Sequence, residues 1–367
     1  MSWRLLGLGA SKLRLDVTLT CGQAFAWSQQ DGVWTAVVRR SVVRLRQRAD
    51  DGEVLVASPV GSLSEEELLR DVRRYLRAED DVEALYAEWS AADPDRFARI
   101  GPALPGLRLL RQDPVECLFS FICSSNNHIP RITAMIGTLR ERYGDVIGSV
   151  DGTTFHAFPT VAQLATAREA DLRAAGFGYR AAFITRTAAM LAERGGDAWL
   201  ESLRGRPTDA VVAELVALHG IGPKVADCIA LFSLDCLDLV PVDTHVAQIA
   251  RHYTPAPAPD APPEAKSMTP KRYKAVQSIF RDRFGERAGW AHCILFAADL
   301  PAFQAMLPPD MRRVATPKKG KGKGKGKGKG KGKGMDQELV PQAGTGGDGT
   351  RKRRKLDAEL AKVEAQE

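Results

Sequence analysis

No apolar run in this chain approaches membrane length, so a bilayer-spanning helix is not expected and no membrane partner is implied. Paired cysteines are also missing. The six present (Cys21, Cys117, Cys123, Cys228, Cys236, Cys293) form no C-x-x-C unit. That removes the closely spaced ligands on which zinc and iron–sulfur sites are built, and neither a metal nor a cofactor is expected. Scattered thiols without a secretory signal fit a reducing compartment. The third absence is positive charge where the composition suggests it. A formal charge of +7 and a pI of about 9.1 favour a nucleic-acid partner. Yet residues 317–367 hold 15 of the 52 Lys/Arg and 7 of the 45 Asp/Glu, leaving 37 basic and 38 acidic side chains in 1–316, a net of −1. DNA affinity in 1–316 must come from locally placed cations and backbone amides.

What is present centres on Leu218-His219-Gly220-Ile221-Gly222-Pro223-Lys224, followed nineteen residues after Lys224 by Asp243 in Val240-Pro241-Val242-Asp243-Thr244-His245. Gly220 and Gly222 bracket Ile221 as in a tight turn that needs positive φ. Pro223 fits the first position of a helix, and Val225, Ile229, Phe232 and Cys236 recur at helical spacing. The unit reads as helix, Gly-x-Gly hairpin, helix, with amides and a positive helix end exposed for phosphate. Lys224 lies in the first turn of the second helix, a poor place for a cation. The helix field and desolvation are expected to lower its pKa and favour a nucleophilic amine. A solvated, phosphate-contacting lysine is the plainer alternative. Asp243 fits an N-cap, with Leu237, Leu239, Val240 and Val242 expected to bury its approach.

Residues 1 to about 57 read as strands: Leu13–Leu19 and Trp34–Val38 alternate, and Val42 to Leu45 adds another. Ser62 to Glu67 opens a helix, and Arg70 to Trp89 is helical in period. From Asp113 to Leu300 the pattern is almost wholly helical, interrupted by a Pro/Ala-rich loop at 255–269. The fold class expected is α+β: an antiparallel-sheet domain over 1–105, a helical domain over 106–300 with the helix-hairpin-helix at about 211–235, and a disordered Lys/Gly-rich tail over 301–367. In that tail, 317–334 alternate Lys and Gly, and Arg351-Lys352-Arg353-Arg354-Lys355 reads as a nuclear-import signal.

Leu218 to Tyr253 resembles the helix-hairpin-helix plus Gly/Pro/Asp motif of base-excision DNA glycosylases. Its lysine form, Lys224-Val225-Ala226-Asp227-Cys228, is similar to the eukaryotic 8-oxoguanine DNA glycosylase/AP lyase family. Further matches are Leu107 to Pro114, Phe119 to Asn127, Gly176 to Ala181, and Gly289-Trp290-Ala291 through Phe296. The resemblance runs from about Trp3 to Leu300. Without C-x-x-C pairs, the chain departs from the cluster-bearing endonuclease and adenine-glycosylase branches.

The resemblance implies a DNA-facing cleft between the two domains, with Lys224 attacking C1′ of an extruded nucleotide and Asp243 supporting the sugar's positive charge. It implies β-elimination from a Schiff base, with no metal. The Gly22 carbonyl would accept the N7 proton of 8-oxoguanine, which guanine lacks, and Cys228 and Phe296 would sandwich the base. Asn126, Arg131 and Arg180 would contact the opposite cytosine, Tyr179 would act as a wedge, and the hairpin of Gly220 and Gly222 would meet phosphate. His245 and Asp299 would pair near the DNA backbone. Two positions depart from the family: His292 stands where Gln is usual, facing the base's Watson–Crick edge, and His128 where Asn is usual.

The reading is a monomeric base-excision-repair glycosylase/β-lyase on double-stranded DNA containing an oxidised purine, 8-oxoguanine opposite cytosine. It is expected in the nucleus, with a mitochondrial form also open: Arg4, Lys12 and Arg14 precede the first acid, Asp16, although the family's first strand explains that segment better. Alternatives are a glycosylase for formamidopyrimidine or an oxidised pyrimidine, and a non-catalytic helix-hairpin-helix DNA-binding protein.

Overall fold

The computed structural model describes residues 2–61, 63–254 and 268–313. The Pro/Ala-rich loop expected at 255–269 falls almost entirely outside the described residues, as do the Lys-Gly run and the basic pentad.

Five strands, β1 (Arg4–Leu5), β2 (Ser28–Gln30), β3 (Val33–Val38), β4 (Ser41–Gln47) and β5 (Val54–Val60), form an antiparallel sheet in the order β1-β5-β4-β3-β2. Trp34 pairs with Leu45, and Leu45 with Val56. One face packs Val43, Leu45, Val54 and Val56 against Leu68, Val72 and Leu76 of the following helical segment. That helix, Glu65–Tyr75, starts with a capping box in which Ser64 and Glu67 exchange hydrogen bonds. The expected strand at Leu13–Leu19 is instead a single helical turn, Leu15–Thr18. Its alternation misleads because Leu15, Val17, Thr18 and Leu19 are all buried, and the Thr18 hydroxyl donates to the Gly106 carbonyl (3.2 Å).

Helices dominate after Asp113, as the periodicity predicts, with one exception. Strands β6 (Val146–Val150) and β7 (Thr153–His156) form a hairpin closed by Asp151 (φ +49°) and Gly152 (φ +78°), the Asp-Gly signature of a two-residue turn. Val150 packs with Val37 and Val42 of the large sheet. A helical core built around Phe119, Ile229, Trp290 and Ile294 extends across the rest. Order also continues past Leu300, where the sequence predicts the start of a disordered tail. Pro301–Met306 and Pro309–Met311 form 3-10 turns, and Phe303 and Leu307 are buried. These two apolar side chains are enough to dock a short segment otherwise rich in Pro.

Candidate active site

The hairpin forms as its sequence dictates, except at Gly222. Helices Thr208–Val216 and Pro223–Ser233 flank it. Gly220 takes φ +78°, and a Cβ there would lie 2.4 Å from the Phe183 ring, so both conformation and space require glycine. Gly222 is extended (φ −87°, ψ 174°) and serves as the N-cap position. It needs no left-handed backbone, because Pro223 directly after it restricts it to extended geometry.

Lys224, in the first turn, lines a pocket of about 60 Å³ with Asp243, Cys228, Gly22, His292 and Phe296. Thus the catalytic pair and the four base-binding residues expected from sequence meet at one cavity. The Lys224 amine lies 5.9 Å from the Phe121 ring centroid. Asp243 caps Thr244–Ala250, its Oδ1 accepting from the amides of His245 (2.9 Å) and Val246 (3.0 Å). Those bonds fix the direction of the carboxylate. The Lys224 ammonium is held above its ordinary pKa by the Cys228 sulfur and then by Asp243, against the penalty of burial. Burial pushes the Cys228 thiol up to about 11. A depressed lysine, the expectation from the helix field alone, is therefore not found. The Cys228 sulfur raises the lysine by more than burial lowers it.

On the sheet-domain side, Gly22 has φ +88°. Its neighbour Gln23, which sequence reasoning passed over, rivets this turn to the helical domain. Its amide donates to the carbonyls of Thr18 (2.9 Å) and Arg108 (2.8 Å), and its Oε1 accepts from the Leu110 amide (2.9 Å). His292 is buried on the opposite wall, and burial lowers its pKa to about 4, so the imidazole is neutral. Its Nδ1 lies 3.9 Å from the Cys293 sulfur. Nε2 is buried without a partner. Phe296 packs against the imidazole with ring centroids 6.0 Å apart.

A second missed group is the anchor beneath the catalytic pair. Tyr273 accepts from the Val242 amide (3.1 Å) and donates to Asp227 Oδ2 (2.5 Å), while Gln277 donates to the same oxygen (2.8 Å) and to the Val240 carbonyl (3.1 Å). Helix Pro270–Phe284 therefore clamps the segment leading to Asp243 onto the lysine helix. Burial raises the Asp227 carboxyl to about 6.

Asn126, Arg131, Tyr179 and Arg180 converge on another face. Asn126 is exposed in left-handed backbone (φ +48°), a conformation Asn tolerates. Tyr179 is 45 % exposed, its hydroxyl donating to the Ser125 carbonyl (2.9 Å). Arg131 is exposed and donates to the Gly176 carbonyl (2.9 Å). Arg180 differs: it is 3 % exposed, stacks 4.5 Å from the Tyr179 ring centroid, and donates to the carbonyls of Ser125 and Asn126 (3.1 Å to the latter). In this state it braces the loop that carries Asn126.

His245 and Asp299 approach to 4.0 Å, too far for the expected hydrogen bond. Arg313 intervenes, pairing with both Asp299 oxygens (2.7 Å to Oδ1) and placing Nη2 3.3 Å from His245 Nδ1. A residue expected in the disordered tail thus joins the site. Among the described residues no cluster of His, Cys, Asp or Glu is arranged to hold a metal ion, and no helix is long and apolar enough to cross a membrane.

Residues 5–118 match the family model for the N-terminal domain of 8-oxoguanine DNA glycosylase, and residues 119–272 that for the HhH-GPD superfamily of base excision DNA repair proteins. An Arabidopsis thaliana protein named N-glycosylase/DNA lyase OGG1 is 42% identical over 310 residues, 83% of this chain and 82% of the relative. A Saccharomyces cerevisiae N-glycosylase/DNA lyase is 32% identical over 330 residues, 80% of this chain and 85% of the relative. Among solved structures, a Clostridium acetobutylicum 8-oxoguanine glycosylase/lyase in complex with double-stranded DNA containing cytosine opposite to 8-oxoG is 30% identical. It aligns with a TM-score of 0.65 over 78% of this chain and 91% of that one.

Proposed function

The chain belongs to the 8-oxoguanine N-glycosylase/DNA lyase family of the helix-hairpin-helix superfamily, and we infer that it cuts DNA at 8-oxoguanine opposite cytosine through Lys224. It is a bifunctional base-excision-repair enzyme that binds duplex DNA. The observation that carries the residue assignment is the meeting of Lys224 and a capped Asp243 at one pocket.

In the reading proposed, the duplex docks on the hairpin amides and the Asn126–Tyr179 face, and the lesion nucleotide swings into the pocket between Cys228 and Phe296. Because Lys224 starts as an ammonium, it first delivers its proton to the departing base as the C1′–N9 bond breaks. Asp243 stabilises the positive charge left on the sugar. The freed amine then bonds C1′, one of its protons passes to O4′ as the ring opens to a Schiff base, and the 3′ phosphate leaves by β-elimination as water takes the C2′ proton. Water then hydrolyses the Schiff base and frees Lys224.

His292 supports a purine with a guanine edge. In this reading the unpartnered Nε2 of the neutral ring is the acceptor, which suits the N1–H and amino donors of 8-oxoguanine. An adenine-type edge would set its own N1 acceptor against that lone pair. The Gly22 carbonyl would accept the N7 proton that distinguishes the lesion from guanine. The protein is proposed to act as a monomer in the nucleus, on the strength of Arg351–Lys355. Strand nicking tests the substrate: duplexes with 8-oxoguanine opposite each of the four bases, with guanine and with formamidopyrimidine are incubated in parallel. Preferential nicking of 8-oxoguanine opposite cytosine is expected; equal nicking of guanine, or none of 8-oxoguanine, would overturn the reading.

A further inference from the structure

A second concentration of chemistry lies at the other end of the lysine helix. Lys224 begins Pro223–Ser233 and Asp235 lies just beyond it, so the helix's 11 residues, about 16 Å at ~1.5 Å each, separate them. Asp235 serves three guanidiniums at once: Arg77 and Arg111 in close ion pairs, and Arg204 at 3.4 Å. Arg77 and Arg111 also line a surface hollow of about 460 Å³, completed by Arg70, Arg73 and Arg74.

Most of these arginines have a carboxylate at hand: Arg70 meets Asp71 at 3.4 Å, Arg73 meets Glu79 at 3.0 Å, and Arg77 and Arg111 share Asp235, while Asp80 is engaged with Arg287. Arg74 is the least compensated. It meets the Glu201 carboxylate at 4.0 Å, and burial together with the neighbouring charges of Arg111, Arg204 and Arg39 lowers its pKa. This is not general basicity, since residues 1–316 carry a net charge of −1. The hollow shares no residue with the base pocket. Five planar guanidinium forks gathered in a concave site, two of them sharing one carboxylate, match a compact anion rich in paired oxygens.

We propose that the arginine hollow binds a short polyphosphate anion, the kind carried by a nucleoside triphosphate, at the end of the lysine helix remote from Lys224. Its occupant competes with Asp235 for Arg77 and Arg111 and is held chiefly by Arg70 and Arg74, which are exposed enough to move.

The test uses the full chain with its cleft filled by a duplex carrying a reduced abasic-site analogue. Phenylglyoxal modification of Arg70 and Arg74 is followed by peptide mass spectrometry with inorganic tripolyphosphate, with ATP, or with neither. Protection of about tenfold is expected at ten times the dissociation constant, where about a tenth of sites remain free. Calorimetry on an R70S/R74S variant should lose the saturable site while strand nicking persists. Equal protection by the two anions assigns recognition to the phosphate chain, and stronger protection by ATP adds a nucleoside contact. Unchanged modification of Arg70 and Arg74, or anion binding that survives in the double variant, overturns the proposal. Protection by the duplex alone would make the hollow part of the DNA surface and overturn it equally.

Discussion

Replacing Asp227 by Asn should make the protein more stable at neutral pH than at acid pH, relative to wild type. Burial lifts the carboxyl from an ordinary value of 3.8 to about 6, so the folded state holds the proton more tightly than the unfolded chain. The stability gained from that proton is present in full below about pH 4 and is lost as pH rises through about 6. A shift of about two units corresponds to roughly 3 kcal/mol. The substituted amide would not ionise, yet its oxygen would still accept from Tyr273 and Gln277. Urea unfolding at pH 4 and pH 7.5 should therefore show the difference, variant minus wild type, moving in the variant's favour by about 3 kcal/mol across that window. A difference that stays constant between the two pH values would refute a strained, buried carboxylate beneath the catalytic pair.

Other outcomes follow from the same geometry. Tyr273→Phe removes the acceptor of the Val242 amide and a donor to Asp227, and should cost about 1–3 kcal/mol in unfolding free energy with a fall in single-turnover rate as Asp243 loosens; an unchanged rate would dissociate the clamp from catalysis. Gly220→Ala should destabilise through its positive φ and its collision with Phe183, raising the Kd for undamaged duplex in an anisotropy titration. His292→Leu should keep the fold but lower kcat/KM for 8-oxoguanine by about 1–3 kcal/mol in activation terms, whereas His292→Gln, which restores an amide acceptor, should recover most of it. Because His292 titrates at about 4, no inflection from it is expected in kcat/KM between pH 5 and 8.

The parts of the site that were legible in the sequence are local. Gly220, Pro223 and Lys224 form their turn and helix start within five residues, and Asp243 caps the helix it immediately precedes. The β6–β7 hairpin was equally readable from Asp151-Gly152, but its strands sit in a stretch where helical periodicity dominates on both sides. Leu13–Leu19 misled because buried Leu13, Leu15 and Val17 alternate with Arg14 and exposed Asp16 although the backbone closes a helical turn. Gln23, Tyr273 and Arg313 were illegible because their partners lie far along the chain, Arg108 and Leu110 for the first, Asp227 and Val242 for the second, His245 for the third. The lysine's raised pKa also had to wait for three dimensions, since it depends on Cys228 and then Asp243 lining the same pocket.

Borohydride reduction during incubation with an 8-oxoguanine–cytosine duplex tests the central claim most directly. A covalent protein–DNA adduct should accumulate with wild type, map by peptide mass spectrometry to Lys224, and be absent with Lys224→Gln. An adduct of undiminished yield in that variant, or one mapped to another amine, would contradict the account.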